Sequence, residues 1–278
     1  MTEFSVVIAT YERAEFLGEA IDSVLCQEFD DFECIVVDDA SRVPPRLPDD
    51  ARLRLIRREQ NGGPAATRNT GIDSASGRYV AFLDDDDVWH PRRLAAAAAA
   101  HARAPVAACR QTTLGTQAAP TGRDLEGDVR DTILDGLTPH LGATSIERVR
   151  APRFDERYDA CEDVDWWLRV AQSATVTTIA EAHLFYRRHD QPRGRTGQEA
   201  RIAGSRMLLD EHAAWFRDHP RALAFRLKRM GLTSLRLGDA APARRYFAAS
   251  LRLRPEPSTA WHLLRSLPPS ALRGGARM

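Results

Sequence analysis

The 278-residue sequence has no uninterrupted apolar run of about 18 residues, so no segment is expected to cross a membrane as a helix. The chain starts directly in a strand-like run, without the basic and then apolar segments of a secretory signal, and no such signal is predicted. Its four cysteines, Cys26, Cys34, Cys109 and Cys161, lack CxxC or zinc-type spacing. They are expected to be reduced, buried thiols of a cytoplasmic protein.

Two common phosphate-binding motifs are also missing. The stretch Asn61–Gly71 contains paired glycines before a predicted helix, an arrangement that can admit an anion at the helix N-terminus. It has neither the GxGxxG of a dinucleotide site nor the GK[ST] of a P-loop, which argues against a dehydrogenase and a P-loop NTPase. Lysine is almost absent, since Lys228 is the single lysine among 39 basic residues.

Charge is distributed unevenly along a chain whose formal net charge is zero. From Arg217 to the end there are 13 basic and 3 acidic residues, a surplus of +10, so residues 1–216 carry a balance of −10. A hydrophobic fraction of 43% and a charged fraction of 28% are ordinary for a globular protein. The basic tail is interpreted either as a contact with anionic membrane or as a solvated, arginine-rich helix pair. No nucleic-acid partner is expected.

The first hundred residues alternate strand and helix patterns. Nearly continuous apolar runs predict strands at 4–9, 33–38 and 78–83, with a weaker one at 53–56. Helical spacing follows the first run, and Pro64 and Pro91 each stand where a helix would begin. This alternation predicts an α/β fold with a mostly parallel sheet that binds ligands at the carboxyl ends of its strands.

Polar clusters follow three of these strands. They are Thr10–Arg13, Asp38–Ser41 and Asp84–Asp87. Because the carboxyl ends of parallel strands share one edge of the sheet, the three clusters are expected to converge on one crevice.

The second half of the chain is predicted to be largely helical. A helix is expected at about 163–172, short strands at 175–179 and 183–187, a loop at 190–200, and helices beyond. The division is therefore a catalytic domain at 1–200 and a helical C-terminal extension at 201–278. Gly231, Gly238, Ala243, Phe247 and Pro255 have the spacing of a tetratricopeptide hairpin, although a generic pair of amphipathic helices fits the pattern as well.

The four consecutive carboxylates at 84–87 are the strongest chemical signal. Like charges at the end of a buried strand repel one another, which favours a compensating cation. Mg²⁺ and Mn²⁺ prefer carboxylate oxygens and often bridge them to substrate phosphates. The alternative is a solvated acidic turn before the helix at Pro91.

Four segments together resemble glycosyltransferase family 2, which has the glycosyltransferase-A fold. They are Ser5–Arg13, Val37–Ser41, Gly62–Asn69 and Phe82–Asp87, in the order expected for that family. The resemblance covers about residues 3–100. It departs at Ala9, where the family usually has proline, and at Glu12, which is often asparagine.

The resemblance implies a nucleotide-diphosphate-sugar donor, most often UDP-linked. Asp39 would hold the base and Asp38 would support its loop. The full set of implied nucleotide or substrate contacts is Thr10, Tyr11, Arg13, Asp38, Asp39, Gly63, Arg68, Asp84 and Asp85. The implied ligands of Mn²⁺ or Mg²⁺ are Asp84, Asp86 and His189, with Asp87 as a further candidate.

Two later segments of the sequence extend the resemblance. Tyr158–Arg169 is similar to the family's E-D motif, which implies Asp163 as the catalytic base with Glu162 beside it; an ordinary acidic helix start is the alternative. Trp166 or Trp167 is a candidate acceptor platform, with one of the two expected in the core. Phe185–His189 resembles a late segment whose histidine approaches the metal, and a structural histidine is the alternative.

The expected function is an inverting, metal-dependent glycosyltransferase that moves a sugar from a nucleotide-diphosphate donor to an acceptor hydroxyl. The acceptor is expected to be a glycan or lipid-linked, in polysaccharide or glycoconjugate synthesis. The expected location is cytoplasmic, with association on the cytoplasmic face of a membrane. A sugar-1-phosphate nucleotidyltransferase and a non-enzymatic scaffold remain alternatives, although the first usually has a glycine-rich, lysine-bearing loop that is missing here.

Overall fold

The computed structural model describes residues 2–136, 138–188 and 195–268. The chain forms two compact units. One takes residues 1–133, 137–157 and 162–190, and the other takes 134–136, 158–161 and 191–278. The predicted domain boundary at residue 200 remains a prediction.

The first unit is built on an eight-stranded sheet with the order β3-β2-β1-β4-β7-β6-β8-β5. Its first half consists of β1 (Phe4–Thr10), β2 (Phe32–Asp38), β3 (Leu53–Arg57) and β4 (Tyr79–Asp84), all parallel to one another where they pair. β1, β2 and β4 are apolar and almost fully buried, as expected for strands covered on both faces. The predicted α/β class with a mostly parallel sheet is confirmed.

The second half of the sheet contains β5 (Val88–Trp89), β6 (Val106–Thr113), β7 (Thr144–Glu147) and β8 (Val176–Tyr186). β7 lies antiparallel between β4 and β6, with Ala81 paired to Ser145. Residues just before β7 therefore lie beside the carboxyl end of β4, next to the acidic run. β8 is one strand with register shifts, where two short strands were expected.

The helices of the first unit are α1 (Ala14–Leu25), α2 (Gly63–Ser74), α3 (Arg93–His101) and α4 (Glu162–Ser173). A hydrophobic core forms where β1, β2 and β4 pack with α1 and α3. On α2, Gly71 lies so close to Val7 of β1 that a Cβ would overlap the valine side chain. The glycine therefore permits this close approach of helix to strand.

Residues 195–268, which belong to the second unit, are mostly helical, as expected for the C-terminal extension. Its helices are α5 (Arg195–Glu211), α6 (Ala213–Asp218), α7 (Pro220–Arg236), α8 (Ala240–Leu253) and α9 (Pro257–Arg265). The predicted loop over 190–200 is wrong from Arg195 onward, because α5 begins there. Gly231 on α7 packs against the ring of Phe247 on α8. The tetratricopeptide interpretation remains a prediction.

No helix in the described ranges is both long enough and apolar enough to cross a membrane. The cysteine prediction holds in part, since Cys34 and Cys109 are buried and Cys161 is half-buried. Cys26, which follows the last residue of α1, is exposed, so the prediction of a buried thiol is wrong there.

Candidate functional site

The ends of β1, β2 and β4 meet at one edge of the sheet. Thr10 donates from Oγ1 to Asp85 Oδ2 at 2.7 Å, and its carbonyl accepts from Asp39 N at 2.9 Å. Arg13, just before α1, contacts Asp86 Oδ2 at 2.8 Å and Asp85 Oδ1 at 3.4 Å. The three polar clusters thus form one crevice, as their place after parallel strands implies.

The carboxylates of the acidic run at 84–87 differ in their electrostatic surroundings and therefore in pKa. Burial raises the pKa of Asp85 to about 6, against the opposing effect of Thr10 and Arg13. Burial and the charge of Asp84 raise the pKa of Asp87 to about 8. Burial also acts on Asp84, but the charge of Arg68 outweighs it and lowers that pKa. The pKa of Asp84 is therefore displaced in the opposite direction from those of Asp85 and Asp87.

Arg68 joins the two acidic motifs. Projecting from α2, it donates from Nη2 to Asp84 Oδ1 at 2.9 Å and from Nη1 to Glu162 Oε1 at 3.0 Å. Its side chain is only 9% exposed, and the two carboxylates raise its pKa although burial opposes this. One guanidinium thus spans residues that are 78 positions apart in the sequence.

Asp39 anchors the start of α2. Its carboxylate accepts from Arg58 Nη1 at 2.5 Å and from the backbone N–H groups of Gly62 and Gly63, the latter at 2.8 Å. Gly63 has a φ of 78°, a conformation that favours glycine. Asp38 is fully buried, accepts from Ser41 N at 3.2 Å, and so shapes the loop after β2.

Three side chains in the described residues bring metal-ligating atoms together at this edge: Asp84, Asp87 and His140. One donor atom from each lies within 4.8 Å of the other two. Two carboxylates suit a hard cation, and buried Asp87, with its raised pKa, is a group that a cation would keep ionised. The residues present therefore fit Mn²⁺ or Mg²⁺. Asp86 instead faces Arg13.

The two carboxylates at the start of α4 have different surroundings. Burial and the charge of Asp163 raise the pKa of Glu162, although Arg68 opposes this shift. Asp163 is half-buried, and its Oδ1 accepts from the N–H of Val164 at 2.9 Å. Glu162 is thus held by a guanidinium, while Asp163 stands beside it in the first turn.

The prediction of an aromatic acceptor platform is wrong. Trp166 and Trp167 are both fully buried, and their indole N–H groups donate to Pro152 O and Pro139 O. The amphipathic sequence pattern of α4 predicts one buried face of the helix. It could not show that the opposite face is buried as well. Tyr11 is 45% exposed beside the crevice and offers an aromatic surface there.

The remaining assignments stay predictions. His189 lies outside the described residues. The roles given to Thr10, Tyr11, Arg13, Asp38 and Asp39 in binding nucleotide rest on the resemblance. The same holds for Gly63, Arg68, Asp84 and Asp85, for Asp86 as a metal ligand, and for Asp163 and Glu162 in catalysis.

Sequence reasoning missed three residues of this edge. They are Arg58, His140 and Arg187, whose backbone N–H donates to Asp87 Oδ1 at 2.8 Å. His140 stands in a stretch without periodicity, and only the antiparallel insertion of β7 brings it to β4. No local signal marks it.

Comparison with known proteins agrees with this arrangement. The family model described as Glycosyl transferase family 2 matches residues 5–125. Those residues, a little under half of the chain, are similar to the family 2 glycosyltransferase domain. The match includes every strand end described above but stops before α4, so the Glu162–Asp163 pair lies beyond it.

One curated relative of the domain is the Escherichia coli UDP-Glc:alpha-D-GlcNAc-diphosphoundecaprenol beta-1,3-glucosyltransferase WfgD. It is 36% identical over 94 residues, which cover 32% of this chain and 37% of that protein. Alignments with eight curated relatives cover between 16% and 38% of those proteins. The family relationship therefore concerns the domain.

Two solved structures share the fold over nearly the whole chain. S. aureus TarS 1-349 in complex with UDP-GlcNAc has a TM-score of 0.65 at 18% identity, covering 95% of this chain and 89% of TarS 1-349. The mannosyltransferase PcManGT from Pyrobaculum calidifontis, in complex with GDP-Man and Mn2+, has a TM-score of 0.56 at 19% identity. It covers 97% of this chain and 80% of its own. The glycosyltransferase-A fold is thereby confirmed.

Proposed function

We propose that this chain is an inverting glycosyltransferase that moves a sugar from a UDP-sugar to an acceptor hydroxyl. The observation that carries the proposal is the contact of Arg68 with both Asp84 and Glu162. It links the acidic run, where a donor diphosphate would lie, to the start of α4, where a base would act. The family 2 domain and the UDP-sugar named for WfgD and TarS support the same activity.

The donor would lie along the carboxyl edge of the sheet. Tyr11 offers an exposed ring for the base, and Arg13 and Arg68 offer positive charge to the diphosphate. Asp39 is the proposed acceptor for the N3–H of uracil. Its carboxylate already binds two backbone N–H groups and Arg58, so it would recognise the base and order the α2 start together.

A divalent cation is part of the proposal. Asp84 and Asp87 supply oxygens that already converge, and Asp86 is the further proposed ligand beside them. When bound, Mn²⁺ or Mg²⁺ would offset the charge of the leaving diphosphate. The Mn²⁺ named in the PcManGT complex is in line with this choice of ion.

Asp163 is the proposed base. It would take the proton of the acceptor hydroxyl as that oxygen attacks the anomeric carbon. The bond from this carbon to the diphosphate oxygen breaks in the same displacement, and the diphosphate leaves as UDP. Glu162 is bound to Arg68, so Asp163 is proposed as the carboxylate of the pair that reaches the acceptor hydroxyl.

A donor-hydrolysis screen tests the proposed activity. The full chain is incubated with UDP-, GDP- and dTDP-sugars, with Mn²⁺ or with EDTA, and the nucleotide product is identified. We expect metal-dependent release of UDP from a UDP-sugar. Pyrophosphate formation from UTP and a sugar-1-phosphate would identify a nucleotidyltransferase instead. No nucleotide binding at all would favour a scaffold.

The base is tested by substitution once an acceptor is found. Asp163→Asn keeps the size of the side chain and removes its basicity, so turnover should fall by about 10²–10⁴-fold with UDP affinity nearly unchanged. Glu15→Gln, which removes a first-turn charge from α1, is the matched control. If Asp163→Asn retains more than about a tenth of the turnover, the base is another group, and Glu162→Gln is examined next.

The acceptor is proposed to be a glycan or a lipid-linked glycan, as in the name of WfgD. A role in polysaccharide or glycoconjugate synthesis, a cytoplasmic location and contact with the cytoplasmic face of a membrane remain predictions. So does the expectation that nucleic acid is not a partner.

A further inference from the structure

His140 comes from the second half of the chain, and the fold brings it to the acidic run. It precedes a 3-10 turn, Leu141–Ala143, that leads into β7. Its Nε2 lies 3.7 Å from Asp84 Oδ2, and its Nδ1 lies 3.8 Å from Asp87 Oδ2. The imidazole is about one-third exposed, so it borders the crevice.

The backbone around His140 is held by four side chains. Trp89, Arg93 and Trp167 are fully buried and donate to backbone carbonyls, and Thr144 donates to the carbonyl of His140 itself. The bonds are Trp89 Nε1 to Gly142 O at 2.7 Å, Arg93 Nη2 to Ala143 O at 2.8 Å, Trp167 Nε1 to Pro139 O at 3.0 Å and Thr144 Oγ1 to His140 O at 2.9 Å. Each of the residues 139, 140, 142 and 143 is thereby fixed.

The burial of Arg93 shows that holding this turn has a free-energy cost. It is fully buried, burial lowers its pKa, and its Nε and Nη1 have no hydrogen-bond partner within the described ranges. Burying a guanidinium without a carboxylate is costly. The bond of Arg93 to Ala143 O and the stacking of its guanidinium over Trp89 are the contacts it gains. A turn held in this way cannot shift freely, so His140 has a fixed place.

The hydrogen bonds of His140 select one tautomer. Its Nδ1 accepts from Gly142 N at 3.2 Å, which places the proton of the neutral ring on Nε2. A protonated Nε2 cannot bind a metal ion, but it can donate to the Asp84 oxygen in front of it. The 3.7 Å separation is longer than a hydrogen bond, and a rotation of the Asp84 side chain that moves Oδ2 by roughly 0.7 Å would close it.

We propose that His140 is a positioning residue that orients Asp84 by donating from Nε2. This inference rests on the proposed function, because Asp84 is the proposed ligand of the divalent cation. Arg68 holds Asp84 Oδ1 from one side, and His140 faces Oδ2 from the other. Each oxygen keeps a lone pair, so the carboxylate is presented to the ion in one orientation.

Two substitutions separate this role from the structural role of the ring. His140→Asn keeps an acceptor for Gly142 N and loses the donor toward Asp84, whereas His140→Gln places an amide donor near the position of Nε2 and loses the cap. The probe is Mn²⁺ alone, titrated into the full chain and followed by electron paramagnetic resonance. Unfolding temperature is measured on the same samples.

We expect His140→Asn to unfold near the wild-type temperature and to bind Mn²⁺ about 10–100-fold more weakly, the usual cost of losing a partner of a metal ligand. His140→Gln should unfold at a lower temperature, because a cap contributes about 0.5–2 kcal/mol, yet bind Mn²⁺ within about threefold of wild type. His262→Asn in the second unit is the control and should match wild type in Mn²⁺ affinity.

Two results would overturn the inference. Wild-type Mn²⁺ affinity in His140→Asn would show that the donor does not orient Asp84. A directly coordinated imidazole nitrogen in the wild-type Mn²⁺ spectrum, lost in His140→Asn, would make His140 a ligand. If wild type binds neither Mn²⁺ nor UDP with Mn²⁺, the proposed function fails as well. If wild type binds both and His140→Asn is unaffected, the positioning role alone fails.

Discussion

Four aspartates follow one another at 84–87, after a strand buried on both faces, and the fold gives each a different set of partners. Asp84 contacts Arg68, Asp85 contacts Thr10, Asp86 contacts Arg13 and Asp87 contacts Arg187 N. Identical residues in succession therefore have pKa values displaced in opposite directions. The composition of the run predicts repulsion between the carboxylates, but only their contacts determine which of them has a raised pKa.

The raised pKa values predict how stability depends on pH in EDTA. Asp85 and Asp87 titrate near 3.8 when unfolded and near 6 and 8 when folded, so their contribution is complete below about pH 4 and is lost as pH rises to 8. Asp84, with a lowered pKa, adds a dependence only below about pH 4. Burial lowers the pKa values of His101 and His183 to about 4, so these two histidines oppose the decrease up to about pH 6.5. We therefore expect the unfolding temperature to fall by a few degrees between about pH 6.5 and pH 8.

Calorimetry in EDTA across this range measures the effect. Asp87→Asn, whose amide oxygen can still accept from Arg187 N, should flatten the dependence because it cannot ionise. Mn²⁺ should restore stability more at pH 8 than at pH 5, where protons compete for the carboxylates. An unfolding temperature that rises from about pH 6.5 to pH 8 would contradict this account of the acidic run.

At the scale of elements, the sequence predicted those strands that are determined by a local pattern of residues. Continuous apolar runs predicted β1, β2 and β4, and the polar residues after them were correctly expected at one edge. β7 could not be predicted, because a four-residue strand in a segment without periodicity is positioned only by its pairing with β4 and β6. His140 was missed for the same reason, since its importance depends on that pairing.

The α2–β1 contact gives a prediction at this scale. Gly71→Ala should destabilise the fold by about 1–3 kcal/mol, because the new Cβ would overlap Val7 at the centre of the sheet. Gly18→Ala on α1 is the matched control: nothing lies within 4 Å of a Cβ there, and alanine should stabilise the helix slightly. Urea unfolding of both variants measures the difference. Equal stabilities would show that α2 lies farther from β1.

For the whole molecule, the separation of charge along the chain is the main feature. The exposed arginines of the tail include Arg252 and Arg254 at the end of α8. Each basic residue near an anionic membrane contributes about 1 kcal/mol. We therefore expect the chain to float with anionic vesicles at low salt and to be released at about 0.5 M salt, where charges are screened within several ångströms.

The matched variants change charge equally in two places. Arg252→Glu with Arg254→Glu should reduce vesicle binding at least tenfold, whereas Arg42→Glu with Arg92→Glu should reduce it little, since those arginines belong to the acidic body. Flotation with anionic and neutral vesicles provides the comparison. No binding to anionic vesicles at low salt would favour the solvated helix pair.

Metal-dependent UDP binding at the carboxyl edge of the sheet is the central claim. It is tested most directly by titrating UDP into the full chain in Mn²⁺ and in EDTA, with wild type and Asp86→Ala side by side. We predict saturable UDP binding in Mn²⁺, binding at least tenfold weaker in EDTA, and no effect of Mn²⁺ in Asp86→Ala. Equal UDP affinity in Mn²⁺ and EDTA, or no binding in either, would contradict the claim.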